Sequence, residues 1–173
     1  MVPGTGPIDR KLGKLVGLNV FQILLDASFP SPENSHSLII GGLAFIYHAK
    51  PRYTKDVDPW IDPSRDNVKR ANAALSDFGS PHLLNPDADE EILQLGMAPD
   101  RIDLLRAIKG ARFATAWKNR IRGKYGKANA NWIDLNSLLR IKSHIDHPRH
   151  QDDVRVLREV RRRRKRTKST ASA

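Results

Sequence analysis

The chain has 173 residues, no cysteine and a formal net charge of +11, which is typical of one domain and excludes a disulfide framework and a thiolate metal site. No apolar run approaches the ~20 residues that a membrane-spanning helix needs. The N-terminus lacks the apolar core of a secretory signal, so we expect a cytoplasmic protein with no membrane partner.

Apolar periodicity, prolines and glycines divide the chain into predicted elements. The first half contains a disordered segment over residues 1–10, a helix over 12–27, a buried strand over 37–40, a glycine turn at 41–42, a short helix over 43–48, a strand over 55–61 and a helix over 64–78. Pro59 lies inside the strand 55–61. Because proline cannot donate a backbone hydrogen bond, we expect that strand to lie at an edge of the sheet or to end early.

The second half contains strands over 92–95 and 101–105, a helix over 110–120, an extended segment over 132–135, a helix over 136–145 capped by Asn136, and a last helix from Asp152. The polar stretch 122–131 predicts no regular element. The crossovers are too few for a parallel wound sheet. The predicted fold class is therefore α/β (α+β), with a small mixed β-sheet flanked by helices, in a domain over 11–160 with its core at 37–120 and C-terminal helices at 135–160.

Positive charge is concentrated near the C-terminus. Residues 158–168 hold eight basic residues and one acid, a net of +7. Such a block repels itself, so we expect residues 161–173 to form a basic disordered tail. Two interpretations stay open for it: a solvated segment that aids solubility, or a clamp for the phosphate backbone of RNA or DNA, whose affinity would fall with salt.

Three aspartates are the candidate catalytic residues. Asp56 and Asp58 are two apart on a predicted strand and therefore point to the same face, and Asp103 lies on the predicted strand RIDLL. Carboxylate oxygens are the ligands that hard divalent cations prefer. The three aspartates therefore predict a metal centre for Mg²⁺ or Mn²⁺, of the kind that supports phosphoryl or nucleotidyl transfer.

A glycine pair precedes these acids. Gly41 and Gly42 follow the apolar run of strand 37–40, and without side chains they leave backbone N–H groups open to a phosphate. A phosphate-binding turn beside an acid pair favours a nucleotide substrate.

The motifs resemble the nucleotidyltransferase superfamily, which is defined by a G-G turn, a D-x-D strand and a later single acid. The finer resemblance is to its minimal bacterial branch, which includes the toxins of AbiEii-type (type IV) toxin–antitoxin systems. Four stretches between residue 38 and about 160 carry it: GGLAFIYHAKPRYTKDVD, PDRIDLLRAIKGARFATAW, LNSLLRIKS and PRHQDDVRVL.

The resemblance implies the nucleotidyltransferase fold, an NTP substrate, Mg²⁺ or Mn²⁺ as cofactor and, as partners, an RNA acceptor such as a tRNA end and an antitoxin protein. Gly41 and Gly42 would contact the triphosphate, and Asp56, Asp58 and Asp103 would hold the metal. Lys142 falls where such proteins keep a lysine for nucleotide phosphates, and Arg149 and Asp152 fall near an R-x-x-D element.

Two of these residues have a structural alternative. Arg52 lies between the glycine turn and the acid pair. One interpretation is that it contacts a phosphate or a carboxylate of the site, and the other is that it forms a salt bridge that positions the strand. Lys142 lies on an otherwise apolar helix, where a lysine often extends its charge to solvent.

Other functions stay open. Leu43 stands where many superfamily members have serine, which removes one hydroxyl contact to phosphate. Together with the basic tail, it favours a non-catalytic nucleic-acid- or partner-binding protein that keeps the fold. A third hypothesis is an enzyme that modifies a small aminoglycoside-like molecule, with the acids of loop 87–91 lining its acceptor pocket.

Overall fold

The computed structural model describes residues 36–77, 79–88, 90–97, 101–126 and 128–170. The predicted disordered segment 1–10 and the predicted helix 12–27 lie outside these residues. The described part is mixed α/β, with five helices around one seven-stranded mixed sheet, which confirms the predicted α+β class.

The elements follow in chain order. The strands are β1 (Ser37–Ile39), β2 (Asp56–Val57), β3 (Pro59–Ile61), β4 (Ile92–Leu95), β5 (Arg101–Leu105), β6 (Ile121–Tyr125) and β7 (Ala128–Trp132). The helices are α1 (Gly41–His48), α2 (Arg65–Asp77), α3 (Phe113–Lys118), α4 (Leu135–Ser143) and α5 (Pro148–Thr170). The predicted strands 92–95 and 101–105 are confirmed to the residue.

Strand β5 organises the sheet. It pairs with β4 in the antiparallel sense and with both β2 and β3 in the parallel sense. From β3 the sheet continues through β1 and β7 to β6. Since β2 and β3 pair with β5 in one register, they are two pieces of a single line that is interrupted at Asp58.

Pro59 explains the interruption. It is the first residue of β3, a position where the missing N–H is tolerated. The strand was predicted to lie at an edge or to end early. The early end is observed, since β2 stops at Val57, whereas β3 lies between β1 and β5 and not at an edge. The strand does break at the proline, and the carbonyl of Asp58 accepts a hydrogen bond from the Ile40 amide at 3.0 Å.

Alternation along the strands gives the sheet two apolar faces. Ile39 and Ile61 pack on the face covered by α2, with its Leu75. Leu38 and Trp60 pack on the opposite face, where they meet residues of α1, α3, α4 and α5. The second face is the one on which the candidate site is built.

The C-terminal helices begin earlier than predicted. Asp134, rather than Asn136, caps α4, because its carboxylate accepts hydrogen bonds from the amides of Asn136 and Ser137 at 2.9 and 3.1 Å. Helix α5 begins at Pro148 rather than at Asp152, and proline suits the first turn of a helix.

The basic segment is helical, which corrects the prediction of a disordered tail over 161–170; residues 171–173 lie outside the described part. Glu159 forms ion pairs with Arg162 and Arg163 at 3.1 and 2.9 Å, one helical turn away. Arg164 donates to the carbonyl of His48 at 3.2 Å, near the end of α1. These contacts offset the self-repulsion. Among the described helices, none has the length and apolar character that crossing a membrane needs.

The stretch 122–131, for which no element was predicted, contains most of the β6–β7 hairpin. Gly126, with a φ of +59°, lies in its turn, where a glycine accommodates positive φ. Side chains along β6 alternate between partly buried and exposed. Since β7 also pairs with β1, the sheet extends beyond the predicted core 37–120.

Leu157 tests the docking of α5 on the sheet. Its side chain is fully buried among α1, α4 and the sheet, so we expect Leu157→Ala to lower the free energy of unfolding by about 2–5 kcal/mol. Leu83→Ala, at a half-exposed leucine, should change it by less than about 1 kcal/mol. Urea denaturation measures both, and equal losses would contradict the placement of α5.

Candidate metal and nucleotide site

The register of the sheet brings the three predicted aspartates together. Asp56 pairs with Arg101, and Trp60 pairs with Leu105, so the same parallel register sets Asp58 beside Asp103. Each of the three aspartates offers a carboxylate oxygen, and these oxygens all lie within 4.8 Å of one another. The prediction that the three acids converge is confirmed.

The acid cluster carries strong mutual repulsion. Burial, and then the neighbouring charges of Asp103 and Asp56, raise the pKa of Asp58 to about 6. A hydrogen bond from the backbone amide of Gly42 opposes this rise. Asp103 is buried, and its Oδ1 has no hydrogen-bond partner in the described part of the chain. An orphaned buried carboxylate oxygen within a set of hard oxygen donors fits a divalent cation.

The two glycines let the backbone approach this cluster. They were predicted to form a turn before the helix, and instead they are the first two residues of α1. Gly41 has a φ of +62°, and a Cβ there would overlap the Asp58 carboxylate. A Cβ at Gly42 would overlap the side chain of Thr54. Both glycines are therefore required by close packing against the segment 54–58, which carries two of the acids. The predicted contact of their amides with a triphosphate stays a prediction.

A buried ion-pair group faces the acids. Asp153 on α5 is 3% exposed and pairs with Arg52 at 2.6 Å and with Lys142 at 2.7 Å. The Arg52 guanidinium also lies over the ring of Phe45, 4.2 Å from its centroid. Two cations on one buried acid leave a net positive charge, which an anion can complement.

Lys142 is buried, so the alternative that its charge extends to solvent is wrong. Burial lowers the pKa of its ammonium group, and the ion pair with Asp153 opposes that change. For Arg52, the salt bridge that was predicted as an alternative is observed. Its partner is Asp153, and the pair holds the loop before β2 against α5.

Asp153 is one of two site residues that sequence reasoning missed; the other is Arg101, which pairs with Asp56 and Asp103. The expected Asp152 is exposed and pairs with the equally exposed Arg155 at 2.7 Å. The available signal was helical spacing, because Asp153, Leu157 and Val160 follow one another at i, i+4 and i+7 on the side of α5 that packs against the core.

One cavity joins the acids to the cations. It has a volume of about 280 Å³ and is lined by both glycines, Asp56, Asp58, Arg52, Lys142 and Arg149. Ile108, Ile141 and Ile145 add an apolar wall. The guanidinium of Arg149 also reaches the carbonyl of Tyr53 at 3.4 Å. Two hollows of about 350 and 340 Å³ beside α3 hold none of these residues.

No protein-family model matches this chain, and no curated protein matches it. The resemblance to nucleotidyltransferases therefore remains a prediction from the motifs. The geometry establishes an acidic cluster that can hold a metal ion, beside a cavity with two half-buried or buried cations on its other side.

Asp153→Asn tests the ion-pair group. The substitution leaves Lys142 buried without its charged partner, so we expect the free energy of unfolding to fall by about 3–5 kcal/mol. The matched control is the neighbouring Asp152→Asn, which removes an exposed pair and should change stability by less than about 1 kcal/mol. Chemical denaturation measures both, and similar losses for the two would contradict the buried pairing.

Asp58→Asn tests the cost of holding the Asp58 charge buried beside two other carboxylates. Because the pKa of Asp58 is raised in the folded state, the folded protein gains stability as pH falls through about 6 and lacks that stability above it. In metal-free buffer at pH 8, the variant should therefore be more stable than the wild type by about 3 kcal/mol. At pH 4 the gain should vanish.

The control for this experiment is Asp146→Asn, which removes an exposed carboxylate outside the site. It should show no comparable difference between pH 8 and pH 4. A gain for Asp58→Asn that is as large at pH 4 as at pH 8 would contradict the raised pKa.

Proposed function

We propose that the protein is a Mg²⁺-dependent nucleotidyltransferase that moves a nucleoside monophosphate from an NTP to a hydroxyl acceptor. The observation that carries this proposal is the convergence of Asp56, Asp58 and Asp103 next to a cavity lined by Arg52 and Lys142. Carboxylates on one side and cations on the other suit a metal–polyphosphate substrate.

In this reaction an acceptor hydroxyl passes its proton to a carboxylate of the acid cluster or to water, and its oxygen bonds to the α-phosphorus. The bond from that phosphorus to the α,β-bridging oxygen breaks, and pyrophosphate leaves. A divalent ion on the aspartates would activate the attacking oxygen and neutralise charge. Lys142 and Arg52, both oriented by Asp153, would attract and position the polyphosphate. The apolar wall of Ile108, Ile141 and Ile145 offers a surface for the nucleoside.

The acceptor that we propose is RNA, such as a tRNA end. Helix α5 supports this choice, since Asp153 at its beginning belongs to the site and the following turns carry a run of exposed arginines. Its 23 residues extend over about 35 Å at ~1.5 Å per residue, which suits a polyanion more than a small metabolite. A toxin role with an antitoxin partner rests on the resemblance alone.

A second candidate is a nucleic-acid-binding protein that keeps the fold without turnover. One observation favours it: Arg101 forms ion pairs with both Asp56 and Asp103, so the acid cluster already contains a counter-cation. Leu43, in place of the superfamily's serine, points the same way.

Labelled NTPs, Mg²⁺ and total RNA separate the two candidates. An active enzyme should label an RNA species, and Asp56→Ala should reduce the labelling by at least about 100-fold because it removes a metal ligand. The control is Asp62→Ala, at an aspartate that pairs with His36 outside the cavity, which should keep most of the labelling.

Other results of the labelling experiment would favour one of the other two functions. Salt-sensitive RNA binding that survives Asp56→Ala, without labelling by the wild type, would favour the binding protein. Labelling of an aminoglycoside but of no RNA would favour the small-molecule enzyme. Labelling that survives Asp56→Ala in full would contradict the assigned acids.

A further inference from the structure

Arg101 lies inside the acid cluster. Its Nη2 contacts Oδ2 of Asp103 at 2.7 Å and Oδ2 of Asp56 at 3.2 Å. Arg101 and Asp103 are two residues apart on β5, so both side chains point to the face that carries the acids. One guanidinium nitrogen therefore joins two of the three carboxylates that can hold a metal ion.

We propose that Arg101 is an internal counter-cation that competes with the divalent ion for the acid cluster and thereby sets its metal affinity. The inference rests on the proposed function only in requiring that these acids hold a metal. The three aspartates would bind the metal ion, and Arg101 would oppose that binding.

The competition follows from shared ligand atoms. A carboxylate oxygen that accepts a hydrogen bond from a guanidinium has one lone pair and part of its negative charge committed to that cation, so it offers less of both to a metal ion. Asp103 Oδ1 has no hydrogen-bond partner among the described residues, whereas Asp103 Oδ2 and Asp56 Oδ2 are held by Arg101. An ion that binds through either of these two Oδ2 atoms therefore competes with the guanidinium for it.

Charge adds to this competition. Even after its hydrogen bonds break, a guanidinium anchored on β5 stays close to the acids and repels a divalent cation. In the metal-free protein the same charge offsets the repulsion among the three carboxylates. A bound polyphosphate would offer the displaced guanidinium another anion. Metal and nucleotide are then expected to bind cooperatively, and the metal alone to bind weakly.

Binding of Mn²⁺ alone to the full chain tests this inference without reference to catalysis. Electron paramagnetic resonance of free Mn²⁺ gives the affinity of the wild type, Arg101→Gln, Arg101→Lys and Arg122→Gln. We expect Arg101→Gln to bind Mn²⁺ roughly tenfold more tightly, because repulsion between a divalent and a monovalent cation is removed from a partly water-exposed site. Arg101→Lys, which keeps the charge, should stay within about threefold of the wild type.

The control Arg122→Gln removes the same charge from an exposed position on β6, and it should bind Mn²⁺ as the wild type does. Equal or weaker binding by Arg101→Gln would overturn the inference, as it would mean that Arg101 organises the acids for the metal. If Asp56→Asn left Mn²⁺ binding unchanged, the metal site itself, and with it the proposed function, would fail.

A measurement on the wild type covers the case in which Arg101→Gln does not fold, as judged by circular dichroism. The arginine side-chain ¹⁵N resonances of the wild type are recorded with and without Mg²⁺, and Arg101→Lys assigns the signal of Arg101. We expect that signal to shift as Mg²⁺ saturates the site. A signal that stays unchanged while Mg²⁺ binds would overturn the inference.

Discussion

The parallel pairing of the β2–β3 line with β5 is the constraint on which the rest of the structure depends. This register sets Asp58 beside Asp103 and keeps Asp56 on the same face. Three carboxylates at this distance repel one another, and burial together with this repulsion raises the pKa of Asp58. The fold holds them with the Gly42 amide and the Arg101 guanidinium, and the absence of a side chain at Gly41 makes room for Asp58.

The C-terminal helices supply the other half of the site. Asp153 on α5 holds Lys142 from α4 and Arg52 from the loop before β2, so one buried carboxylate sets the positions of two cations from distant parts of the chain. Burying three charged groups carries a desolvation cost. Attraction between Lys142 and Asp58 across the cavity partly offsets the surplus positive charge.

The alternation of side chains along a strand was enough to predict the face on which the three acids lie. The run RIDLL and the Asp-Val-Asp segment set side chains on one face by alternation, and this placed the three acids correctly. The hairpin over 122–131 was missed, because Gly, Lys and Asn suit an edge strand whose second face is exposed as well as they suit a loop. The helical end of α5 was missed because the charge argument ignored the i+3 and i+4 pairs of Glu159 and the anchoring of Leu157.

Contacts between distant elements were the least predictable. Asp153, rather than Asp152, became the buried acid because of the way α5 rotates onto α4, although its spacing from Leu157 carried a signal. The role of Arg101 depends on the register of β2 against β5, which no local pattern specifies.

The most direct test of the proposed metal and nucleotide site is a crystal structure of the protein with Mn²⁺ and a nonhydrolysable NTP. Anomalous scattering should place Mn²⁺ within bonding distance of Asp56, Asp58 and Asp103, with the triphosphate toward Arg52 and Lys142 and with the Arg101 guanidinium displaced from the acids. Mn²⁺ bound elsewhere, or a nucleotide bound outside this cavity, would contradict it.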